Sequence, residues 1–305
     1  TPVISSAASD VYKRQVMSGT QDIVIGGGVE VMSMVPIGAA VTDGYNAGHG
    51  LPFDSEGMKE RYPDIFFSQF TGAELVADKW NLSREDLDQF ALESHQKAAQ
   101  ATESKYFDKE ILPVEGKNAE GINDLVMADE GIRFDASLDK LAGLNPVTEG
   151  GKITAGNASQ ITDGAAAVLI CNDAGLKKIK SNPRAEIVSI SVVGDDPVFM
   201  LTGPIPASHK ALDIAKLSID DMDIYEVNEA FAPVPLAWAE ELKADRSKLN
   251  VNGGAMALGH PLGATGAKLM TTMLHELERR KGKYALQAIC EGGGTANATI
   301  IKRVS

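Results

Sequence analysis

Apolar positions along the chain switch between the spacing of strands and the spacing of helices. A β-branched run, Asp22–Ile25, leads into Gly26–Gly28 and predicts a short buried strand that ends in a tight turn. The apolar run Ala165–Cys171 predicts a central strand, followed by a short helix over 174–180. From Ala185 to Val193, apolar residues alternate with Ser and Glu, which predicts a further strand.

Helical spacing is clearest in two stretches. Ser83–Asp86 resembles a capping box, and the apolar or small residues after it recur at helical intervals: Leu87, Phe90, Ala91, Ser94 and Ala98. A second helix is predicted from near Gly263 to Arg280, with cations and Gly282 at its end. Two strands, over 284–290 and 296–303, complete the chain. Alternating strands and helices in both halves predict an α/β protein with buried mixed sheets.

The chain divides at Pro183, where Ser181–Arg184 interrupts the regular elements. We therefore expect one domain over 1–182 and a second over 183–305. Residues from about 34 to 152 begin with many Pro and Gly and continue with amphipathic helices, which predicts an inserted, mainly helical loop domain within the first domain. Residues 1–15 show no regular period.

Composition excludes several classes of protein. The 305 residues are 44% hydrophobic and 23% charged, an ordinary globular balance, and the net charge of −13 argues against nucleic-acid binding. No apolar run is long enough to span a membrane. The two cysteines, Cys171 and Cys290, suit neither a disulfide framework nor a zinc site. We expect a soluble cytoplasmic protein.

One histidine, His260, stands among five glycines in the run Asn252–Gly266. Such a run is how a catalytic base is mounted where a ligand must reach it, although a glycine-rich turn with a structural imidazole gives the same pattern. Two further motifs also carry candidate catalytic groups: Asn228–Phe231 and the run Cys290–Gly294. An imidazole, a thiol, an amide and glycine N–H groups suit acyl transfer through an oxyanion, with no need for a metal. A Cys–His hydrolase is the alternative from these residues alone.

These motifs resemble those of the thiolases, which join or split acyl groups at coenzyme A. Val227-Asn-Glu-Ala-Phe-Ala232, Gly259-His-Pro-Leu-Gly263 and Cys290-x-Gly-Gly-Gly294 match the three C-terminal signatures of that family in order and spacing. Two earlier runs, 27–33 and 154–159, also match. The resemblance covers the chain from about Val16 to the end, and it implies a thiolase-like fold of two related halves in a layered αβαβα arrangement.

The resemblance also implies roles for individual residues. His260 would be the base that draws a proton from a nucleophilic cysteine and, with Asn228 and a held water, would stabilise the thioester oxyanion. Cys290 would move the α-proton of the acyl-CoA, and the Gly292 N–H would serve a second oxyanion hole. A thiol has a pKa of about 8.5, so a polarising neighbour that lowers it would make Cys290 an acid/base near neutrality.

Coenzyme A and acyl-CoA would be substrates, with no permanently bound cofactor. Arg133 and Ser159 match family positions that contact the nucleotide and pantetheine portions, and Ala230 and Phe231 would line the substrate channel. Arg133 as a plain surface residue and Phe231 as plain core are the alternatives. The resemblance further implies a homodimer or homotetramer.

The chain departs from the family at its start. Thiolases carry a nucleophilic cysteine about thirty residues before the Gly-Gly-Val-Glu run, a place that corresponds to Thr1–Ser5, and no cysteine is there. We therefore expect an N-terminally truncated chain with a foreign junction, exposed sheet edges in the first half and little activity.

The sequence leaves three alternative functions. The run Gln69–Glu74 and Glu291 favour a degradative 3-ketoacyl-CoA thiolase over a biosynthetic acetoacetyl-CoA thiolase. A non-catalytic CoA- or lipid-binding relative would explain the missing nucleophile, but not the joint presence of His260, Asn228 and Cys290. A decarboxylating ketoacyl synthase would carry a histidine where Cys290 stands.

Overall fold

The computed structural model describes residues 14–117 and 121–304. The first half consists of two long strands and the elements that the chain inserts between and after them. In chain order these are β1 (Ile23–Val31), α1 (Ala39–Asn46), α2 (Glu56–Arg61), α3 (Gln69–Lys79), α4 (Arg84–Glu103), β2 (Val114–Lys117), β3 (Asn123–Val126), α5 (Leu138–Ala142), β4 (Asp163–Cys171) and α6 (Asp173–Ile179).

The second half contains a four-stranded sheet and its helices. Its elements are β5 (Ala185–Gly194), α7 (Pro204–Ala215), β6 (Ile224–Val227), α8 (Pro233–Leu242), α9 (Ala255–Leu258), α10 (Thr265–Arg280), β7 (Tyr284–Glu291) and β8 (Thr295–Arg303). The strand order is β5-β8-β7-β6, in which β6 and β7 run parallel and the other pairs run antiparallel. The predicted mixed sheet is therefore confirmed here.

Helix α10 lies between the two sheets. It packs against β6 and β7 on one side and against β4 and β1 on the other. Helix α7 covers the opposite face of the four-stranded sheet, where the hydroxyls of Ser189 and Ser191 donate to carbonyls of α7. Helix α6 packs on β4 at the outer side, where Gly175 lies against Cys171 and Ile23. The order of layers is helix, sheet, helix, sheet, helix, which agrees with the predicted arrangement.

The glycines of β1 correct one expectation. The predicted tight turn at Gly26–Gly28 is wrong, because the strand continues through them to Val31 and pairs along its whole length with β4, Gly27 opposite Ala167. Among the described residues these two strands pair only with each other, so β4 is not the central strand predicted. Ile25, Val29 and Leu169 are more than half exposed on the outer face of this sheet.

The segment inserted between β1 and β4 is mainly helical, but it also contains a hairpin that the sequence analysis did not predict. Strands β2 and β3 pair antiparallel, with Val114 opposite Val126. Helix α4 is the buried centre of the segment, and its capping box forms as predicted: the Ser83 hydroxyl accepts from Asp86 N at 3.1 Å while the Asp86 carboxylate accepts from Ser83 N at 2.8 Å. All five residues named from its helical spacing are buried.

Candidate active site

His260 lies in the loop that joins α9 to α10, and its side chain is 8% exposed. Asn228 Nδ2 is 3.2 Å from His260 Nε2, and His260 Nδ1 is 2.7 Å from Thr265 Oγ1. Gly259 precedes the histidine with a φ of 81°, and a Cβ there would meet the side chain of Thr162. The glycine is therefore required by both backbone conformation and space, and the imidazole is held at both nitrogens.

The His260 loop rests on the glycine-rich surface of β1 and β4. A Cβ on Gly28 would lie 1.8 Å from the carbonyl oxygen of Gly263, and a Cβ on Gly164 would lie 2.8 Å from Pro261 Cγ. Glu30 Oε2 accepts a hydrogen bond from Gly263 N at 3.1 Å. The Gly-Gly-Val-Glu run of the first half therefore positions the histidine loop of the second half.

Asn228 and Cys290 are carried to one edge of the four-stranded sheet by parallel strands. Asn228 directly follows β6, and its backbone N–H donates to Ala288 O in β7 at 3.0 Å. Cys290 stands two residues beyond Ala288, near the carboxyl end of β7, and is 8% exposed. Because Val227 is paired with Ala288 in parallel register, both residues extend past the same point of the sheet. The structure thus brings the Asn228 amide and the His260 imidazole together at the sheet edge where the thiol-bearing strand ends.

Burial governs the charge state of both titratable groups. Desolvation, assisted by the positive charge of Lys268, lowers the pKa of His260 to about 4, so the imidazole is neutral at pH 7. Desolvation raises the pKa of Cys290 to about 12, and the negative charge of Glu291 acts in the same direction. Both burial of this end of β7 and its anionic neighbour therefore act against the lowered thiol pKa that an acid/base role near neutrality would use.

Glu229 holds the turn after Asn228. Its carboxylate accepts from Ser94 Oγ at 2.7 Å, from Asn250 Nδ2 at 2.8 Å and from Met256 N at 3.2 Å. Gly254 packs directly on it, with no room for a Cβ. Sequence analysis missed Ser94 and Asn250 in this role, because their partners are distant along the chain.

Gly292 begins a short 3-10 turn between β7 and β8 and is exposed. Its carbonyl accepts from Thr295 Oγ1 at 3.1 Å, and the next residue, Gly293, has a φ of 74°. The glycines of this motif therefore serve a tight turn that directly follows the thiol-bearing strand.

Three of the four residues assigned to coenzyme A are adjacent in the structure. Ser159 N donates to Ala230 O at 2.9 Å, and Ala158 forms an antiparallel bridge with Phe231. Ala230 and Phe231 are buried, and the Phe231 ring meets Phe70 edge-on at 5.4 Å. Ser159 is half-buried beside them.

Arg133 lies elsewhere, on the segment before α5, with its side chain exposed. Its backbone N–H donates to His95 Nδ1 at 3.1 Å. His95 is buried on α4, next to Ser94, so one helix contacts both the Arg133 segment and the Glu229 turn.

A buried asparagine fixes the run 154–159. Asn157 Oδ1 accepts from Thr154 N at 2.8 Å, and its Nδ2 donates to Asp88 Oδ1 at 2.9 Å. Arg84 Nε in turn donates to Asp88 Oδ2 at 2.7 Å. Asp88 therefore ties α4 to the segment that carries Ser159, a role that the sequence pattern did not indicate.

Two classes of feature are missing from the part of the chain that the structure describes. Within residues 14–117 and 121–304, no group of three or more His, Cys, Asp or Glu side chains is arranged to hold a metal ion. Over the same residues, no helix combines the length and hydrophobicity that crossing a bilayer requires.

Two family models match the two halves of the chain. Residues 3–174 match the family model described as thiolase, N-terminal domain, and residues 181–303 match the one described as thiolase, C-terminal domain. The chain belongs to the thiolase family.

Individual relatives include several kinds of thiolase. The chain is 53% identical over 301 residues to the steroid 3-ketoacyl-CoA thiolase FadA6 of Mycobacterium tuberculosis, a match covering 98% of this chain and 72% of the relative. It is 41% identical to the acetyl-CoA acetyltransferase of Paracoccus denitrificans, covering 95% and 74%. The crystal structure of human mitochondrial 3-ketoacyl-CoA thiolase superposes with a TM-score of 0.85 at 38% identity, covering 98% and 77%.

Proposed function

We propose that this chain supplies the His260, Asn228 and Cys290 part of an acyl-CoA:acetyl-CoA C-acyltransferase site. The reaction is thiolytic cleavage of a 3-ketoacyl-CoA, or the reverse Claisen condensation, and the degradative direction is favoured. The observation that carries the proposal is the 3.2 Å contact of Asn228 with His260 at the sheet edge where Cys290 lies near the end of β7. Coenzyme A and acyl-CoA are substrates, and no permanently bound cofactor takes part.

The pair His260 and Asn228 is suited to act first as base and then as oxyanion support. A neutral, desolvated imidazole offers a lone pair that can accept the proton of a thiol nucleophile, after which the imidazolium stabilises the developing thioester oxyanion. Asn228 Oδ1 is buried and has no hydrogen-bond partner among the described residues. That acceptor supports a water held beside the imidazole, because a buried acceptor without a partner is costly.

Cys290 is suited to carry the α-proton. In cleavage, its S–H proton passes to the α-carbon of the departing enolate and leaves a thiolate; in synthesis, the thiolate takes that proton from the acyl-CoA. The raised thiol pKa keeps the proton on sulfur in the resting site. Gly292, in the turn that follows, is proposed to donate its N–H to the enolate oxygen.

Ser159, Ala230, Phe231 and Arg133 are proposed to contact coenzyme A. Ser159 is half-buried beside the two buried residues, which suits the narrow pantetheine portion, and the exposed guanidinium of Arg133 suits the anionic nucleotide portion. A local cation is needed because the chain carries a net charge of −13. A crystal structure of human mitochondrial 3-ketoacyl-CoA thiolase in complex with CoA is among the structural matches, which supports coenzyme A as the ligand.

The 305 residues contain no cysteine suited to hold the acyl group. Cys171 ends β4 beside α6, where burial raises its pKa, and Cys290 is assigned to proton transfer. The expected position of the nucleophile, Thr1–Ser5, lies outside the described residues. We propose that a polypeptide of these 305 residues alone does not start the acyl-transfer cycle. Intact-mass analysis after incubation with a 3-ketoacyl-CoA should detect no acyl adduct, and an adduct would overturn this part of the proposal.

The proton-transfer half of the chemistry is testable in this chain. In D2O, mass spectrometry should detect deuterium entering the α-carbon of acetyl-CoA, and Cys290→Ser should slow this exchange by about 100-fold or more. Cys171→Ser is the matched control and should exchange at the parent rate. Equal rates for parent and Cys290→Ser would contradict the assignment. Binding of coenzyme A by calorimetry without any exchange would favour the non-catalytic CoA-binding alternative.

The preferred acyl group distinguishes a degradative 3-ketoacyl-CoA thiolase from a biosynthetic acetoacetyl-CoA thiolase. The relative that acts on steroid 3-ketoacyl-CoA is 53% identical, against 41% for the acetyl-CoA acetyltransferase, which supports bulky or long acyl groups. Calorimetry should give tighter binding for a long-chain 3-ketoacyl-CoA than for acetoacetyl-CoA. The reverse order would support an acetoacetyl-CoA thiolase.

Assembly and localisation complete the proposal. Met34, Phe66 and Leu112 of the inserted segment are each at least 75% exposed, and such apolar surface supports a homodimer or homotetramer. Sedimentation of the purified chain tests this assembly, which a monomer would contradict. Two free cysteines suit the cytoplasm, which fractionation of the source cells tests.

A further inference from the structure

Thr265, the first residue of α10, contacts the imidazole through a hydroxyl that is already engaged. Its Oγ1 lies 2.8 Å from Pro261 O and 2.7 Å from His260 Nδ1. Thr265 is 1% exposed, so water does not compete for this hydroxyl. None of the sequence motifs indicated a role for it.

The number of protons on the hydroxyl decides the direction of both hydrogen bonds. A threonine hydroxyl has one proton, and a carbonyl oxygen can only accept, so that proton belongs to the bond with Pro261 O. The same oxygen must then accept from His260, which requires the imidazole proton on Nδ1. Nε2 is left with its lone pair and accepts from Asn228 Nδ2.

The opposite tautomer is disfavoured by the same contacts. With the proton on Nε2, the Nδ1 lone pair would face a Thr265 oxygen whose only proton is committed, at 2.7 Å. Relieving that contact would require the hydroxyl to turn away and leave Pro261 O without this donor. Because Thr265 is buried, the loss of such a hydrogen bond costs about 1–3 kcal/mol.

We propose that Thr265 is a positioning residue, which fixes His260 as the tautomer protonated on Nδ1 and directs the Nε2 lone pair toward Asn228. The catalytic consequence rests on the proposed function: Nε2 is the atom that takes the nucleophile's proton, and Thr265 supports the imidazolium by accepting from Nδ1–H. The tautomer itself follows from the hydroxyl contacts and does not depend on the reaction.

Nitrogen-15 NMR of the histidine-labelled protein tests the tautomer directly. At pH 7 the parent and Thr265→Ser should show a protonated Nδ1 and an unprotonated Nε2 for His260, whereas Thr265→Val should shift toward protonation on Nε2. The signal is assigned by its loss in His260→Gln. Protonation on Nε2 in the parent, or an unchanged tautomer in Thr265→Val, would overturn the proposal.

Thr271→Val is a matched control on the same helix. The Thr271 hydroxyl also donates to the carbonyl four residues earlier, Ala267 O at 2.8 Å, but has no contact with His260. It should leave the His260 spectrum unchanged; an equal change would mean that the helix, and not the Thr265 hydroxyl, controls the tautomer.

Deuterium exchange into acetyl-CoA, which is assigned to Cys290, separates a failure of the proposed function from a failure of the tautomer assignment. Absence of exchange in the parent would count against the proposed function and leave the NMR result standing.

Discussion

Ser94 donates a hydrogen bond to Glu229 at 2.7 Å, and through this contact a helix of the inserted segment supports the turn beside Asn228. The Ser94 hydroxyl oxygen also accepts from Gly254 N at 3.0 Å, at the start of the segment that leads to His260. One buried contact therefore joins the supports of two candidate catalytic residues. Burial raises the pKa of Glu229, while its donors oppose that change.

Replacing Glu229 should destabilise the protein and disturb Asn228. Glu229→Ala leaves the Asn250 amide, the Ser94 hydroxyl and Met256 N without their shared acceptor, at an expected cost of about 3 kcal/mol in the free energy of unfolding. Glu240→Ala, an exposed change on α8, should cost less than about 0.5 kcal/mol. Urea denaturation measures both. Similar losses in the free energy of unfolding from the two variants would show that the buried hydrogen bonds of Glu229 do not stabilise the fold.

Adding one methyl group at Gly28 should displace the His260 loop. The Cβ of Gly28→Ala would overlap the carbonyl oxygen of Gly263, so backbone must move, at about 1–3 kcal/mol. Gly57→Ala, where a helical Cβ meets nothing within 4 Å, is the control and should be neutral or slightly stabilising. Thermal denaturation and deuterium exchange into acetyl-CoA should both decline in Gly28→Ala alone. Exchange at the parent rate in Gly28→Ala would show that the position of the His260 loop does not depend on the close approach at Gly28.

Glu110 should make stability depend on pH. Desolvation raises its pKa from 4.5 to about 7, although Thr272 Oγ1 donates to it at 2.8 Å. The folded state thus binds a proton more tightly than the unfolded state. The resulting stability is fully present below pH 4.5 and is lost as the pH rises to about 7.

Glu110→Gln removes that titration and retains an acceptor for Thr272. At pH 8 the variant should be more stable than the parent, by up to about 3 kcal/mol, and the difference should vanish near pH 4.5. Denaturation midpoints at a series of pH values measure it. A difference that does not vary with pH would mean that Glu110 does not titrate as described.

His95 should influence coenzyme A binding through Arg133. His95→Ala removes the acceptor for Arg133 N and should weaken CoA binding several-fold while also lowering stability, because the imidazole is buried. Arg133→Ala should weaken binding with little effect on stability, since the side chain is exposed. Calorimetry and thermal denaturation separate the two. An unchanged affinity for CoA in Arg133→Ala would show that Arg133 does not contribute to CoA binding.

Local patterns predicted those elements whose cause is local. The capping box at Ser83 and the buried positions of α4 depend on neighbours within a few turns, and the strand at Ala185 on simple alternation. The glycines of β1 misled the prediction, because they serve close approach of the Gly263 loop and not a turn. The hairpin β2–β3 consists of short, largely exposed strands with little periodic signal.

The sequence alone determined the α/β class, the two helices with strong periodicity, and the three motifs that carry an amide, an imidazole and a thiol. Only the tertiary structure decided how these groups are supported. Ser94 and Asp88 act on residues that folding brings near, Thr265 contacts His260 through the turn that opens α10, and the high pKa of Cys290 arises from burial at the end of β7. Hydrogen-bond direction and desolvation depend on distances in space, which the spacing of residues along a chain does not contain.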